Sequence, residues 1–268
     1  VIELLQKMNA LARETCPGVD IEAFWDEIWG WRIGSVRIPD PEMPQRKAED
    51  IPKRAAIVEK YLRDVEDYWF HLYKPSVGDV IVDIGAGRGE DVFVFSRAVG
   101  DQGQVWAVEP HPVSFLALRK LCEWNGLSNV RVLNYASTAQ PGSLQIETMP
   151  VWESNFVRGG EPSENSCAVE GIPFDELARR EGIGPISFLK MNIEGAERDA
   201  LPGCVDVLDR TQSVCVAAHD FRADRGEGDS FRTLAMVREF LAARGFALTT
   251  RDEDRRYYVP YHVHGVRP

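Results

Sequence analysis

The segment that most constrains this chain is Val80-Ile81-Val82-Asp83-Ile84-Gly85-Ala86-Gly87-Arg88-Gly89-Glu90, an apolar run passing straight into closely spaced glycines. A run of Val and Ile this short reads as a buried strand, and strands of that kind belong to parallel sheets covered by helices. The glycines let the backbone turn tightly and approach a ligand, and the helix after them presents free N–H groups and a positive dipole end. The same rhythm of short apolar run and helical pattern continues from Asp79 onward. Strands are expected at Val80–Ile84, Gln104–Glu109, Val130–Tyr135, Ile186–Asn192 and Val214–His219, with helices at Asp91–Val99, Val113–Asn125, Phe174–Glu181, Glu197–Asp209 and Phe231–Arg244. Phe246–Thr250 and Arg256–Val263 read as a C-terminal antiparallel hairpin. The expected fold class is α/β, a doubly wound, seven-stranded, mainly parallel sheet with an N-terminal helical extension.

That extension, residues 1–74, precedes the main domain, residues 75–268. Its pattern predicts helices at Ile2–Arg13, Ile21–Trp31 and Ile51–Leu72, with Pro39, Pro41, Pro44 and Pro52 marking an extended arm. Trp25, Trp29, Trp31, Tyr68 and Trp69 suit a small core packed on the main domain, with a substrate lid as the competing role. Between Ser137 and Gly171 the periodicity fails, apart from an extra strand expected at Ser143–Thr148. Val151–Ser166 reads as a flap over an acceptor site, and a loop without function is the alternative.

The bulk properties narrow the partners. A length of 268 residues suits one large α/β domain with an appendage, and a formal charge of −11 argues against a nucleic-acid substrate. Arg251, Arg255 and Arg256 are interleaved with Asp252, Glu253 and Asp254 and read as a solvated turn. The cysteines, five in number, form no CxxC pair, which argues for a reducing compartment, the cytoplasm by default, and against a zinc framework. No apolar run reaches the roughly 20 residues of a spanning helix, and the first residues lack the order of a signal peptide. Oligomeric state is left open.

Two cofactor classes compete for the glycine turn. Gly85, Gly87 and Gly89 follow G-x-G-x-G rather than the G-x-G-x-x-G of dinucleotide folds. Val105-Trp106-Ala107-Val108-Glu109 is a second strand ending in a carboxylate suited to both hydroxyls of a ribose. That carboxylate serves NAD as well, so at this point a dehydrogenase remains the competitor.

From about Asp79 to His219 the chain resembles the FkbM family of methyltransferases, within the class I Rossmann-like group. The resemblance is carried by Asp83-Ile84-Gly85-Ala86-Gly87-Arg88-Gly89, by Glu109-Pro110-His111-Pro112 with Asn125-Gly126-Leu127, by Phe188-Leu189-Lys190-Met191-Asn192-Ile193-Glu194-Gly195-Ala196-Glu197, and by Ala218-His219. The third piece matches the family hallmark Lys-x-Asp-x-Glu-Gly-Ala-Glu, with Asn192 where the family has Asp. The resemblance implies transfer of the sulfonium methyl of S-adenosyl-L-methionine, usually to a hydroxyl of a glycan or small-molecule secondary metabolite. It leaves residues 1–74 and the flap, where acceptor choice commonly resides, uncovered.

Within this reading, Gly85, Gly87 and Gly89 form the cofactor turn, Glu109 holds the ribose, and Asn134 to Ala136 flank the adenine. Asp83 anchors the turn or meets the cofactor amino group. A hydroxyl acceptor needs a base, and His219 at a strand tip has the right chemistry. Asn192 is expected to orient the acceptor or the cofactor amino group, and Glu194 to supply the negative charge that Asn192 lacks. Lys190 reads as a buried partner of Glu194 or Glu197. The alternatives are a Mg²⁺-dependent O-methyltransferase of catechol type, with Asp220 joining Asn192 and His219 as ligands, an NAD-dependent oxidoreductase, and a non-catalytic adenosylmethionine-binding protein.

Overall fold

A computed structural model of the chain describes residues 1–147, the backbone of 156–158, and residues 165–268. In chain order the strands are β1 (Ile21–Asp26), β2 (Ile28–Ile33), β3 (Val36–Pro39), β4 (Val80–Ile84), β5 (Gln104–Val108), β6 (Val130–Leu133), β7 (Ala136–Ser137), β8 (Gly142–Glu147), β9 (Phe156–Arg158), β10 (Ser166–Ile172), β11 (Ile186–Met191), β12 (Thr211–Ala217), β13 (Ala247–Thr249) and β14 (His262–Val266). The α-helices are α1 (Ile2–Thr15), α2 (Ile51–Ala55), α3 (Ile57–Tyr68), α4 (Glu90–Val99), α5 (Pro112–Trp124), α6 (Phe174–Glu181), α7 (Glu197–Ala200), α8 (Val205–Asp209), α9 (Asp220–Asp224) and α10 (Leu234–Ala242).

Seven strands form the main sheet in the order β13-β14-β12-β11-β4-β5-β6. β12, β11, β4, β5 and β6 pair in parallel, and β14 joins β12 and β13 antiparallel. The chain winds outward from β4 through β5 to β6, then restarts at β11 on the other side. The strand order therefore reverses between β4 and β11, where a doubly wound sheet leaves a crevice beyond its carboxyl ends. One face is covered by Phe174, Leu177, Leu201, Leu208, Val237 and Leu241, the other by Tyr61, Val65, Trp69, Phe70, Phe93 and Phe95.

The stretch Ile21–Trp31, expected to be helical, is instead β1 and most of β2 in a three-stranded antiparallel sheet with β3. The chain reverses at Glu27, whose φ is 60°, so Trp25 lies opposite Trp29 with ring centroids 4.5 Å apart. A tight hairpin puts i and i+4 side by side just as a helix does, while the aromatic and β-branched content favours the strand. Trp31 fills a small core with Met8, Met43 and Ile51, and its indole donates to Asp40 at 2.9 Å. Trp69, by contrast, packs against the main sheet.

The expected helix Glu197–Asp209 is interrupted by a 3-10 turn at Leu201–Gly203, where Pro202 lacks a donor and a Cβ on Gly203 would lie 2.0 Å from the Thr138 carbonyl oxygen. The second hairpin strand starts at His262 rather than Arg256, because Pro260 cannot donate within an interior ladder. The intervening turn is tied down: Arg251 donates to the Asp67 carbonyl at 2.7 Å, and Arg256 pairs with Asp67 and with Asp254. On β14, burial pushes the imidazole of His262 down to about 3 and that of His264 to about 4, so both are neutral. The expected strand Ser143–Thr148 is β8, which pairs with β9 and β10 in a third, four-stranded sheet. Most of the expected flap Val151–Ser166 lies outside the described residues. All five cysteines are free thiols. Among the described residues no helix is long and apolar enough to cross a membrane.

Candidate active site

A cleft opens at the tips of β4, β5 and β11, lined by Gly85, Gly87, Glu109, Tyr135, Asn192 and Glu194 among others. Its floor is the turn after β4. Gly85 has φ 82°, and a Cβ there would lie 2.0 Å from the Asn192 carbonyl oxygen, so both backbone and space require glycine. The Gly85 and Ala86 N–H groups donate to the Val108 carbonyl at 2.9 and 3.0 Å, which fixes the turn against β5. Gly87, at φ 57°, lines the cleft. Gly89 does not: it caps α4, and a Cβ on it would meet Leu118 at 2.7 Å, so its expected cofactor role becomes close packing of α4 on α5.

Glu109 closes β5. Its carboxylate accepts the N–H of Gly87 and the N–H of His111, each at 2.9 Å, and so ties the turn to the neighbouring strand. Burial raises this carboxyl to about 7, against the pull of those two donors. Asn134, expected beside adenine, donates instead to the carbonyls of Glu109 and Pro110 at 2.8 and 3.0 Å and does not line the cleft. Ala136 does line it, together with Tyr135 and Ser137.

Under the turn lies a buried charge cluster. The Lys190 ammonium is 2.7 Å from Asp83 and 3.2 Å from Asp91, and it donates to the Gly85 carbonyl at 2.9 Å. This corrects the expected pairing of Lys190 with Glu194 or Glu197. Lys190 and Asp83 are register partners on adjacent parallel strands, whereas the two glutamates follow the end of β11. Burial pushes the Asp83 carboxyl up and Lys190 pulls it back. Asp83 itself lies below the cleft lining and holds the turn through Lys190.

At the far wall, the chain leaving β11 places Asn192 at the cleft and then takes Glu194 into the left-handed region, φ 55°, followed by Gly195 at φ 98°. That conformation is costly for a residue with a side chain and turns Glu194 into the cleft. The Glu194 carboxylate accepts from His219 Nε2 at 3.1 Å and from Arg222 at 2.8 Å. His219 Nδ1 donates to Glu197 at 2.9 Å, and Glu197 is held in turn by Thr233 at 2.9 Å. Burial alone would lower the imidazole, but Glu197 and Glu194 outweigh it and hold His219 at about 10, a charged imidazolium at neutral pH. Burial opposes ionisation of Glu194 too, yet His219 and Arg222 keep its carboxyl below the usual range.

His219, only 2% exposed, with both ring nitrogens given to glutamates, has no nitrogen left to receive a proton in this arrangement. Asp220 accepts the N–H groups of Thr233 and Leu234, both at 2.8 Å, and so starts α10. Asn192, His219 and Asp220 thus do not offer the oxygen-rich set that Mg²⁺ selects. Tyr135 falls within the expected Asn134 to Ala136 stretch, whereas Ser137 and Ser114 as lining residues and Arg222 as a partner of Glu194 were not foreseen from the sequence. Arg222, three residues beyond His219 in the short helix α9, carried no signal of its own.

A doubly wound sheet whose first strand feeds a glycine turn, with a carboxylate at the next tip and polar groups at a third, defines a Rossmann-like protein with a nucleotide-type cleft. The sequence profile of the methyltransferase FkbM domain matches residues 83–248, and the chain belongs to that family. It is 25% identical over 141 residues to the hexuronic acid methyltransferase AglP of Haloferax volcanii, an alignment covering 53% of this chain and 56% of that protein. The chain therefore spans about half the length of that curated relative. A crystal structure of an FkbM methyltransferase from Methylobacillus flagellatus superposes with a TM-score of 0.49 and 16% identity, covering 81% of this chain and 59% of that one. Fibrillarin of Aeropyrum pernix, solved with bound S-adenosyl-L-methionine, gives a TM-score of 0.43 and 12% identity, covering 71% and 67% of the two chains.

Proposed function

We propose that this protein transfers the methyl group of S-adenosyl-L-methionine to a hydroxyl oxygen of a glycan or secondary metabolite in the cytoplasm, with a uronic-acid sugar as the first acceptor to try. The observation that carries the reading is that one cleft joins the Glu109-bound glycine turn to the Glu194 carboxylate. The residues fit the cofactor: bare backbone at Gly85 and Gly87, a carboxylate for ribose hydroxyls, and Tyr135 and Ala136 as a wall for a flat base. When bound, adenosylmethionine supplies a methyl already activated by its sulfonium. What remains for the chain is alignment and removal of one proton. A neutral hydroxyl becomes strongly acidic as its oxygen is alkylated, so a carboxylate of low basicity such as Glu194 suffices to take that proton. Asn192 orients the acceptor hydroxyl. His219 and Arg222 are positioning residues that hold Glu194 ionised and aimed. The AglP likeness favours an acidic sugar, and family membership with G-x-G-x-G spacing disfavours NAD.

The test is calorimetry together with a labelled-methyl assay on uronic-acid oligosaccharides. Glu109→Ala removes charge-assisted hydrogen bonds worth about 1.5–3 kcal/mol, so adenosylmethionine affinity should fall roughly 10- to 100-fold. Unchanged affinity would contradict the ribose assignment, and NAD binding in preference to adenosylmethionine would overturn the cofactor.

A further inference from the structure

A second cluster, between β12 and β14 and away from the cleft lining, takes no part in the proposed chemistry. Cys215 on β12 lies directly across from His264 on β14, and His262 lies across from Ala217. Residues two apart on a strand share a face, so the register itself brings one thiol and two imidazoles together. Their potential ligand atoms, one from each residue, all lie within 4.8 Å of one another, with Cys215 Sγ 3.9 Å from a His264 ring nitrogen. All three side chains are buried, and Nδ1 of His262 is a buried polar atom without a hydrogen-bond partner. A buried imidazole nitrogen left in that state costs stability unless something binds it. The flat face of His262 stacks on Trp69 at 5.0 Å, which fixes the ring plane. At the rim, the exposed His71 has its ring 5.1 Å from that of His264.

We propose that Cys215, His262 and His264 bind a transition-metal cation of zinc type, with His71 as the fourth ligand. The donor chemistry is that of tetrahedral zinc, nitrogen and sulfur with no hard oxygen. Bonds of about 2.0–2.3 Å imply ligand-to-ligand edges of about 3.3–3.8 Å, so the three buried ligands close on the ion by side-chain shifts of about an ångström, while the exposed His71 swings in from the rim. Binding releases the thiol proton to solvent. Lys190, the register neighbour of Cys215 on β11, is neutralised by Asp83 and Asp91. The absence of a CxxC pair does not count against the site, because its ligands converge across a strand pairing. Its location makes the role structural: the metal staples the segment after α3 to β12 and β14.

The experiment is titration of the metal-stripped, full-length protein with Co²⁺, followed optically, and then with Zn²⁺. One equivalent of Co²⁺ should give a near-ultraviolet thiolate charge-transfer band and tetrahedral visible bands, both erased by Zn²⁺. Cys215→Ser should abolish the thiolate band, and His71→Ala and His264→Gln should each weaken Zn²⁺ binding by at least about tenfold, since even outer-shell changes cost that much. Absence of the band in the wild-type protein overturns the proposal without any variant. A band that persists in Cys215→Ser assigns the metal to another cysteine and overturns it equally. Loss on His264→Gln but not on His71→Ala overturns the fourth ligand.

Discussion

Replacing His219 with Gln tests the charge network behind Glu194 by its effect on stability. The ordinary imidazole value is 6.5, and the two glutamates hold it at about 10. At about 1.4 kcal/mol for each pH unit separating those values, the charged imidazolium contributes about 5 kcal/mol to folding. Because the folded value is the higher one, the folded protein keeps a proton that the unfolded chain releases. The contribution is therefore complete below pH 6.5 and declines as pH rises toward 10. By pH 8 it should have shrunk by about 2 kcal/mol. Urea unfolding of wild type and His219→Gln at half-unit steps from pH 6 to about 9 gives the difference directly, and it should narrow by about 3 kcal/mol over that range. Seen from its partner, the same pairing is the cation that the buried Glu197 loses in the variant, about 3–5 kcal/mol at pH 6.5 and not additional to the figure above. If the difference stayed level across that range, the ring would be neutral in the folded protein and the reasoning would fail. An imidazole resonance that titrates near its ordinary value would have the same force.

Glu194→Gln keeps the shape of the side chain and removes its charge, so kcat should fall about 10²- to 10⁴-fold while adenosylmethionine affinity stays level. An unchanged kcat would exclude Glu194 as the proton acceptor. Lys190→Met strands Asp83 as a buried carboxylate and frees the Gly85 carbonyl, and should cost about 3–5 kcal/mol in urea unfolding. A loss under about 1 kcal/mol would mean that Asp83 is neutral without it.

Local features of the sequence were readable and lateral ones were not. Val80–Ile84 and the glycines after it announce strand and turn because five consecutive positions carry the pattern. Glu109 is legible for the same reason, being the first charge after an apolar run. Which residue faces which across the sheet is set by register, and register leaves no trace in a periodicity. Hence the sequence points Lys190 to glutamates four and seven positions on, whereas its partner Asp83 lies 107 positions back. The sequence places His219 at the end of a strand, and it lies two residues past β12 as the cap of α9, but its two glutamates arrive from the loop and helix after β11. The Trp25–Trp29 pair shows the opposite hazard, a local spacing with two structural meanings.

The sheet face carrying Ile81, Val105 and Phe188 is roofed by Tyr61, Val65, Trp69 and Phe70, residues that precede every strand of the main sheet. Arg88, inside the glycine turn, pairs with Glu42 from the same early segment. Exchanging the early segment between relatives would therefore rebuild one wall of the sheet and one anchor of the glycine turn. A front end transplanted from a relative must bring its own partner for Arg88 as well as its own cover for the sheet.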